Sequence, residues 1–214
     1  LAAPLSTVFT QLLSVAAVPV KWKSAIITPV FKKGDATSVA NYRPISLTCV
    51  LSKIMESIIS RKLFQFLKEQ NVLYAAQHGF IRGRSTCSNL LESLNDWTSY
   101  LQSNQQTTVI YIDFSKAFDT VSHNKLFARL FSYGIRGNLL LWLKRFFTDR
   151  RHHTKVDGLL SDVENLISGI VQGSGIGPLM FLIFINDLIE VLEKYNIKVK
   201  LFADDVKLYA HVIN

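Results

Sequence analysis

Asp204 and Asp205 stand side by side in Lys-Leu-Phe-Ala-Asp-Asp-Val-Lys-Leu-Tyr (200–209), with apolar or alternating residues on both flanks. Such flanks read as strands. On one straight strand, neighbouring side chains point to opposite faces, so one of the two carboxylates would enter the core. An unpaired charge there is very costly. A tight hairpin with both acids at its turn removes the conflict and aims them into a cleft, where a divalent cation can satisfy them. For the bare pair, an ordinary Asp-Asp turn between two strands is the simpler account. A second acid of the same kind shifts the balance. Asp113 follows the β-branched and aromatic run 109–112 in TVIYIDFSKAFD (108–119), which reads as a buried strand. It falls at the strand's C-terminal end, a usual place for chemistry in α/β architectures. Pairing of strands 109–112 and 199–203 would bring Asp113 and Asp204 to one sheet edge. Carboxylates gathered there repel one another unless cations neutralise them. They match the ligand set of a two-metal phosphoryl-transfer site, with ions roughly 3.5–4 Å apart. Mg²⁺ suits such a site, since it takes one or two carboxylates plus substrate phosphates and water.

The elements that must position these acids follow from periodicity. Residues 5–18 read as a helix, and 24–31 and 44–48 as extended segments joined by a polar loop containing Lys32, Lys33 and Gly34. Apolar residues at 50, 51, 54, 55, 58, 59, 63, 66 and 67 give one face of a long helix. Residues 85–103 form another, capped by Ser85 or Thr86, with Leu90, Leu91, Leu94, Trp97 and Leu101 expected inward. The polar stretch at Ser122, His123 and Asn124 can start a helix ending at Gly134. Residues 137–148 are amphipathic, and 153–171 read as a strand pair turning at Asp157-Gly158. Pro178 suits the first turn of a helix reaching about Lys194. Helices and strands mix without strict alternation, so the class is α+β.

Composition bounds the remaining choices. The 214 residues make one domain or two intimate subdomains. Half the residues are hydrophobic and charge is moderate, so the chain is globular. A net charge of +8 suggests a polyanionic partner. Cys49 and Cys87 lack metal-site spacing and define no disulfide framework, so they read as reduced thiols of an intracellular protein. The longest apolar run, 179–185, is far below the ~20 residues of a membrane span. The first residue is Leu1, not Met, which suggests a piece of a longer product.

Five blocks in order resemble the reverse transcriptases of non-LTR retrotransposons, LINE-type elements with a jockey-like flavour. WKSAIITPVFKKGDATSVANYRPISL (22–47) and QHGFIRGRST (77–86) resemble the two fingers motifs of that family. IDFSKAFD (112–119), SGIVQGSGIGPLMFLIFINDL (168–188) and FADD (202–205) resemble its first acidic block, its Gln-Gly block and its catalytic hairpin. The resemblance implies a right-hand polymerase with fingers at about 1–108 and palm at about 109–214. The palm would be an antiparallel sheet packed on helices, and the chain would stop before the thumb.

The resemblance also implies roles. Asp113 and Asp204 would bridge two Mg²⁺ ions, replaceable by Mn²⁺, with the Phe114 carbonyl as a further ligand and Asp205 as a weaker candidate ligand. Phe118 would block a 2′-hydroxyl and so select deoxynucleotides. Lys32, Lys33 and Arg43 would contact the triphosphate, and Gln172 and Gly173 would lie against the incoming base pair. Gln77, Gly79, Phe80, Arg82 and Arg84 would touch the template. A solvated basic loop accounts for Lys32 and Lys33 without any ligand, and a polar loop with a helix cap accounts for half of the 77–86 block. Residues Lys144, Arg145, Arg150, Arg151, His152, His153 and Lys155 form a candidate backbone-binding stripe. The chain departs from the family at Val171, where Pro is usual, and at Ser174-Gly175-Ile176. The implied partners are an RNA template, a DNA primer and dNTPs, with endonuclease and thumb elsewhere in a retrotransposon polyprotein. The implied setting is a ribonucleoprotein of nucleus and cytoplasm, with no membrane contact. Two other readings are a non-catalytic nucleic-acid-binding remnant and an assembly subunit whose basic face binds a protein.

Overall fold

The computed structural model describes residues 1–212. Helix α1 (Ala2–Ser14) leads through a single 3₁₀ turn at Val20–Lys23 into β1 (Ser24–Phe31), which returns as β2 (Tyr42–Leu47). Helix α2 (Val50–Glu69) follows, burying Met55, Ile59, Leu63 and Leu67 at i, i+4 spacing. Next come α3 (Thr86–Gln102) and β3 (Gln106–Asp113), then α4 (His123–Ser132) and α5 (Gly137–Phe147). Strands β4 (Arg150–Val156), β5 (Leu159–Leu160) and β6 (Glu164–Leu166) precede α6 (Gly177–Ile185) and α7 (Asp187–Glu193). The described chain closes with the hairpin of β7 (Lys198–Phe202) and β8 (Asp205–Val212).

Two sheets result. One runs β2-β1-β4-β5, with β6 also on β4, and β4 lies parallel to β1. It joins residues 24–47 to residues 150–166 across the sequence position expected to divide fingers from palm. The other is antiparallel with order β3-β8-β7. Helix α6 (GPLMFLIFI) carries no charged side chain and is buried almost throughout. It packs with α4, and Trp142, Phe146 and Phe147 of α5 are fully buried beside it in the same core. This is the α+β architecture expected from the sequence, with an antiparallel sheet on helices.

Several expected elements differ in detail. The 109–112 strand pairs with 205–212 rather than with 199–203, so β8 lies between β3 and β7. The first helix stops at Ser14, and Ala16 (φ 52°) turns the chain back. The helix expected from Pro178 to about Lys194 is two helices joined at Asn186, whose buried amide donates to the Val72 carbonyl (2.8 Å) and the Tyr133 hydroxyl (3.0 Å). The turn at Asp157-Gly158 is present, with positive φ at both residues.

Helix α3 is the largest correction. Leu90, Leu91, Leu94 and Leu101 are exposed, and Asn89 and Ser93 face inward. The reason is the sheet it covers, whose facing side carries Lys198, Lys200 and Lys207. Buried Lys207 donates to Asn89 Oδ1 (3.1 Å) and Ser93 Oγ (3.0 Å). Lys200 pairs with Glu92, and Lys198 with Asp96. A lysine-bearing sheet face selects the polar stripe of the helix over its leucines.

Candidate active site

The β7–β8 hairpin closes with Phe202 opposite Asp205, leaving Ala203 and Asp204 as a two-residue turn. Ala203 takes φ 56°, at the first turn position where glycine is the ordinary residue. Asp205 is the first residue of β8, and its cross-strand partner is Asp113, the last residue of β3. Adjacent strands lie roughly 4.8 Å apart, so the fold brings Asp113, Asp204 and Asp205 to one end of one sheet. Asp113 and Asp205 are exposed and Asp204 is half-buried. Partial burial raises the Asp205 carboxyl above its usual range, and the neighbouring charges of Asp204 and Asp113 add to the shift.

Among the described residues, no three His, Cys, Asp or Glu side chains are gathered closely enough to cage a metal by themselves. Asp205 feels the charges of both Asp204 and Asp113, and carboxylate oxygens at one strand end are donors that a hard divalent cation accepts.

Beyond β3 the chain turns tightly, with Lys116 at φ 52°. The carbonyl of Phe114 lies directly after Asp113, in a residue that is exposed. Phe118 is half-buried. Its ring stacks on buried Phe181 of α6 (4.1 Å between centroids, 14° between planes), and Phe80 meets it edge-on at 6.1 Å. Asp119 accepts a hydrogen bond from Gln172 Nε2 (2.7 Å). Gly173 (φ 103°) lies so close to β2 that a Cβ would stand 2.7 Å from the Ser46 carbonyl oxygen. The Ser46 N–H donates to the Gln172 carbonyl (2.7 Å). The 168–173 loop therefore ties the segment carrying Phe118 to β2. A cleft of about 60 Å³ opens at this junction, lined among others by Pro44, Ser46, Asp119, Arg151 and Gln172. A larger surface hollow of about 660 Å³ lies along α3 beside Lys200, without any of the three acids in its lining.

The remaining sequence candidates fall into two groups. Lys32 and Lys33 are exposed in the β1–β2 loop, and Arg43 is exposed on β2. Arg82 and Phe80 are exposed as well. By contrast, Gln77 and Gly79 are buried against the hairpin, and Arg84 donates to the Ala75 and Gln77 carbonyls. Within the basic stripe, Arg150 is 2% exposed and donates to the Phe146 and Trp22 carbonyls. Burial pushes its guanidinium down to about 10, against the pull of Glu56. Arg145 donates to the carbonyls of Val15 and Ala16. These two arginines hold helix ends together, and Arg151 and Lys155 stay exposed.

Sequence reasoning passed over Glu56. It is fully buried, accepts from Ser52 Oγ (2.6 Å), and takes the N–H of Gly175 (2.7 Å) in the Gln-Gly block. Its signal was legible, because Ser52 and Glu56 interrupt the apolar face of α2 at i, i+4. Ser174, which opens the divergent Ser174-Gly175-Ile176 stretch, accepts the Gly177 N–H (3.0 Å) and so steadies the start of α6. Val171, which stands where Pro is usual, is buried.

Comparison with known proteins bears on the family and the fold. The chain is 30% identical over 210 residues to the RNA-directed DNA polymerase from mobile element jockey of Drosophila melanogaster, covering 94% of this chain and 22% of that protein. It is 28% identical over 204 residues to the Pol polyprotein of the type-1 retrotransposable element R2 of Popillia japonica, covering 89% of this chain and 28% of that protein. The chain thus spans about a quarter of the curated relatives it matches. Telomerase of Candida tropicalis, truncated from its C-terminal domain, superposes with a TM-score of 0.65 at 13% identity, over 97% of this chain and 48% of that one. The shared fold is that of right-hand polymerases. Residues 30–213 match the family model described as reverse transcriptase (RNA-dependent DNA polymerase), and the chain belongs to that family.

Proposed function

We propose that this chain is the polymerase portion of a non-LTR retrotransposon protein, adding dNTPs to a DNA primer on an RNA template. The observation that carries the reading is the register of Asp113 opposite Asp205, with Asp204 on the adjoining turn. In the reaction the primer 3′-oxygen bonds the α-phosphorus of a dNTP, the hydroxyl loses its proton, and pyrophosphate leaves. Asp113 and Asp204, with the Phe114 carbonyl, would hold two Mg²⁺ ions, and Mn²⁺ suits the same oxygens. Bound there, such ions would acidify the primer hydroxyl and neutralise charge on the phosphates.

The chain's own residues select and orient the substrates. Phe118, stacked flat on Phe181, would set its ring against a 2′-hydroxyl. Arg43 offers a fork of N–H donors to phosphate oxygens, and Lys32 and Lys33 add point charges. Gln172 and Gly173 sit where β2 meets the Phe118 segment, which suits contact with a nascent base pair. Phe80 and Arg82, both exposed, can stack on and neutralise a template strand. Endonuclease and thumb functions would come from other parts of the polyprotein. Among the described residues, no helix is long and apolar enough to cross a membrane. Single-nucleotide extension with Mg²⁺ tests the reading. Incorporation by the chain and none by Asp204→Asn supports it. Duplex binding without incorporation by either protein would favour a non-catalytic remnant.

A further inference from the structure

We infer that Gln77 and Gly79 are positioning residues that hold the turn bearing Asp204, acting through Ala203. The inference rests on the polymerase reading for its catalytic consequence and on the observed contacts for its geometry. Residues 76–78 run beside β7 as a short parallel bridge, Gln77 against Leu201. The Leu201 N–H donates to the Ala76 carbonyl (2.9 Å), and the His78 N–H donates to the Leu201 carbonyl (2.8 Å). Asn89 Nδ2 donates to that same carbonyl at 3.1 Å. The segment thus extends the three-stranded sheet on its β7 side up to the catalytic turn.

There the Gln77 side chain takes over from the backbone. Its Oε1 accepts the Ala203 N–H (3.0 Å) and the Gly79 N–H (2.7 Å), and its Nε2 donates to the Ala203 carbonyl (3.4 Å). One buried amide therefore engages both backbone groups of the residue just before Asp204, as a neighbouring strand would. Gln77 is 4% exposed, so water does not compete for these bonds. Gly79 closes the contact from the other side. A Cβ there would lie 2.2 Å from Ala203 N and 2.8 Å from its Cα, both backbone atoms that cannot yield without moving the turn.

Ala203 needs such a hold. Its φ of 56° is a conformation that alanine adopts reluctantly. Freed from Gln77, the turn would relax towards ordinary backbone angles and carry the Asp204 carboxylate with it. Displacements of about 1 Å at a reacting centre cost on the order of a hundredfold in rate.

The test uses the 214-residue chain and two variants. Gln77→Met keeps the buried volume and removes all three bonds. Gln77→Asn keeps an amide one methylene short of the turn, and is read in the same way if the Met variant fails to fold. Amide hydrogen exchange across residues 200–206 reads the hold directly, and exchange across α6 reports that the core is intact. Single-nucleotide incorporation is measured alongside. Expected are exchange about tenfold faster in 200–206 with α6 unchanged, kcat lowered about tenfold to a hundredfold, and KM for dNTP within about twofold of the parent. Unchanged exchange in 200–206 overturns the inference, and so does faster exchange with undiminished kcat. If the parent chain incorporates nothing, the polymerase reading fails, and the exchange result alone decides whether Gln77 holds the turn.

Discussion

Asp205 sits one residue past the turn with Asp113 across the strand and Asp204 before it, and its burial and these two charges raise its pKa. The consequence for stability has a definite sign. A carboxyl whose folded pKa exceeds its unfolded value binds more protons in the folded state, so stability falls as pH rises from the ordinary carboxylate range through the raised value. In metal-free protein, Asp205→Asn should therefore raise the melting temperature near pH 7, and the gain should vanish below about pH 3.8, the ordinary Asp value. Thermal melts of the two proteins across pH check this, and an equal gain at all pH values would contradict it. Phe118 supports a second prediction at this scale. Phe118→Val removes the ring stacked on Phe181, so the ratio of dNTP to rNTP incorporation should fall by at least about tenfold, or ~1.4 kcal/mol of discrimination. Parallel primer extension with the two sugars measures it. An unchanged ratio would remove Phe118 from sugar selection.

Elements decide how these residues meet, and their contacts are dominated by close backbone approach. Gly173 combines φ 103° with a virtual Cβ 2.7 Å from the Ser46 carbonyl oxygen. Gly173→Ala should destabilise the chain by about 1–3 kcal/mol, a fall of roughly 2–12 °C in melting temperature for a domain of this size. A melt within one degree of the parent would mean that the loop leaves β2 at no cost. At this scale the sequence was legible where pattern and environment agreed. The α2 face at Met55, Ile59, Leu63 and Leu67 and the wholly apolar α6 were of this kind. It misled at α3, since periodicity counts leucines and cannot know that the sheet opposite carries Lys198, Lys200 and Lys207. It also misplaced the partner of β3, because 199–203 and 205–212 are both strand-like and a run of apolar residues does not state its neighbour. The three acids were legible because their chemistry conflicts with the strands that hold them. The contacts of Gln77 were not, since an amide that bonds backbone 126 residues away leaves no local trace.

At the scale of the molecule, a net charge of +8 is less available than it looks. Arg150 and Arg145 are spent on backbone carbonyls, and Lys198 and Lys200 on Asp96 and Glu92. Exposed Lys32, Lys33, Arg43, Arg82, Arg151 and Lys155 are among the candidates for phosphate contact. With about four such contacts, affinity for a template–primer duplex should fall on the order of a hundredfold between ~50 and ~200 mM salt. Fluorescence anisotropy measures this, and salt-independent binding would mean that the basic surface does not meet nucleic acid. The Gln172–Asp119 bond and the buried α6 tie the two sheets together, and the parallel pairing of β1 with β4 holds residues 24–31 to 150–156 within one of them. Nucleotide transfer at Asp113 and Asp204 is the activity proposed for this structure. Single-nucleotide extension of a DNA primer on an RNA template, with Mg²⁺ and excess protein, tests it most directly beside an Asp204→Asn control. Incorporation by the parent chain that is lost at least ~10²-fold in the control is the predicted result, in the range seen when a transition-state electrostatic contact is removed. Equal incorporation by both proteins, or none by either while the duplex stays bound, would contradict it.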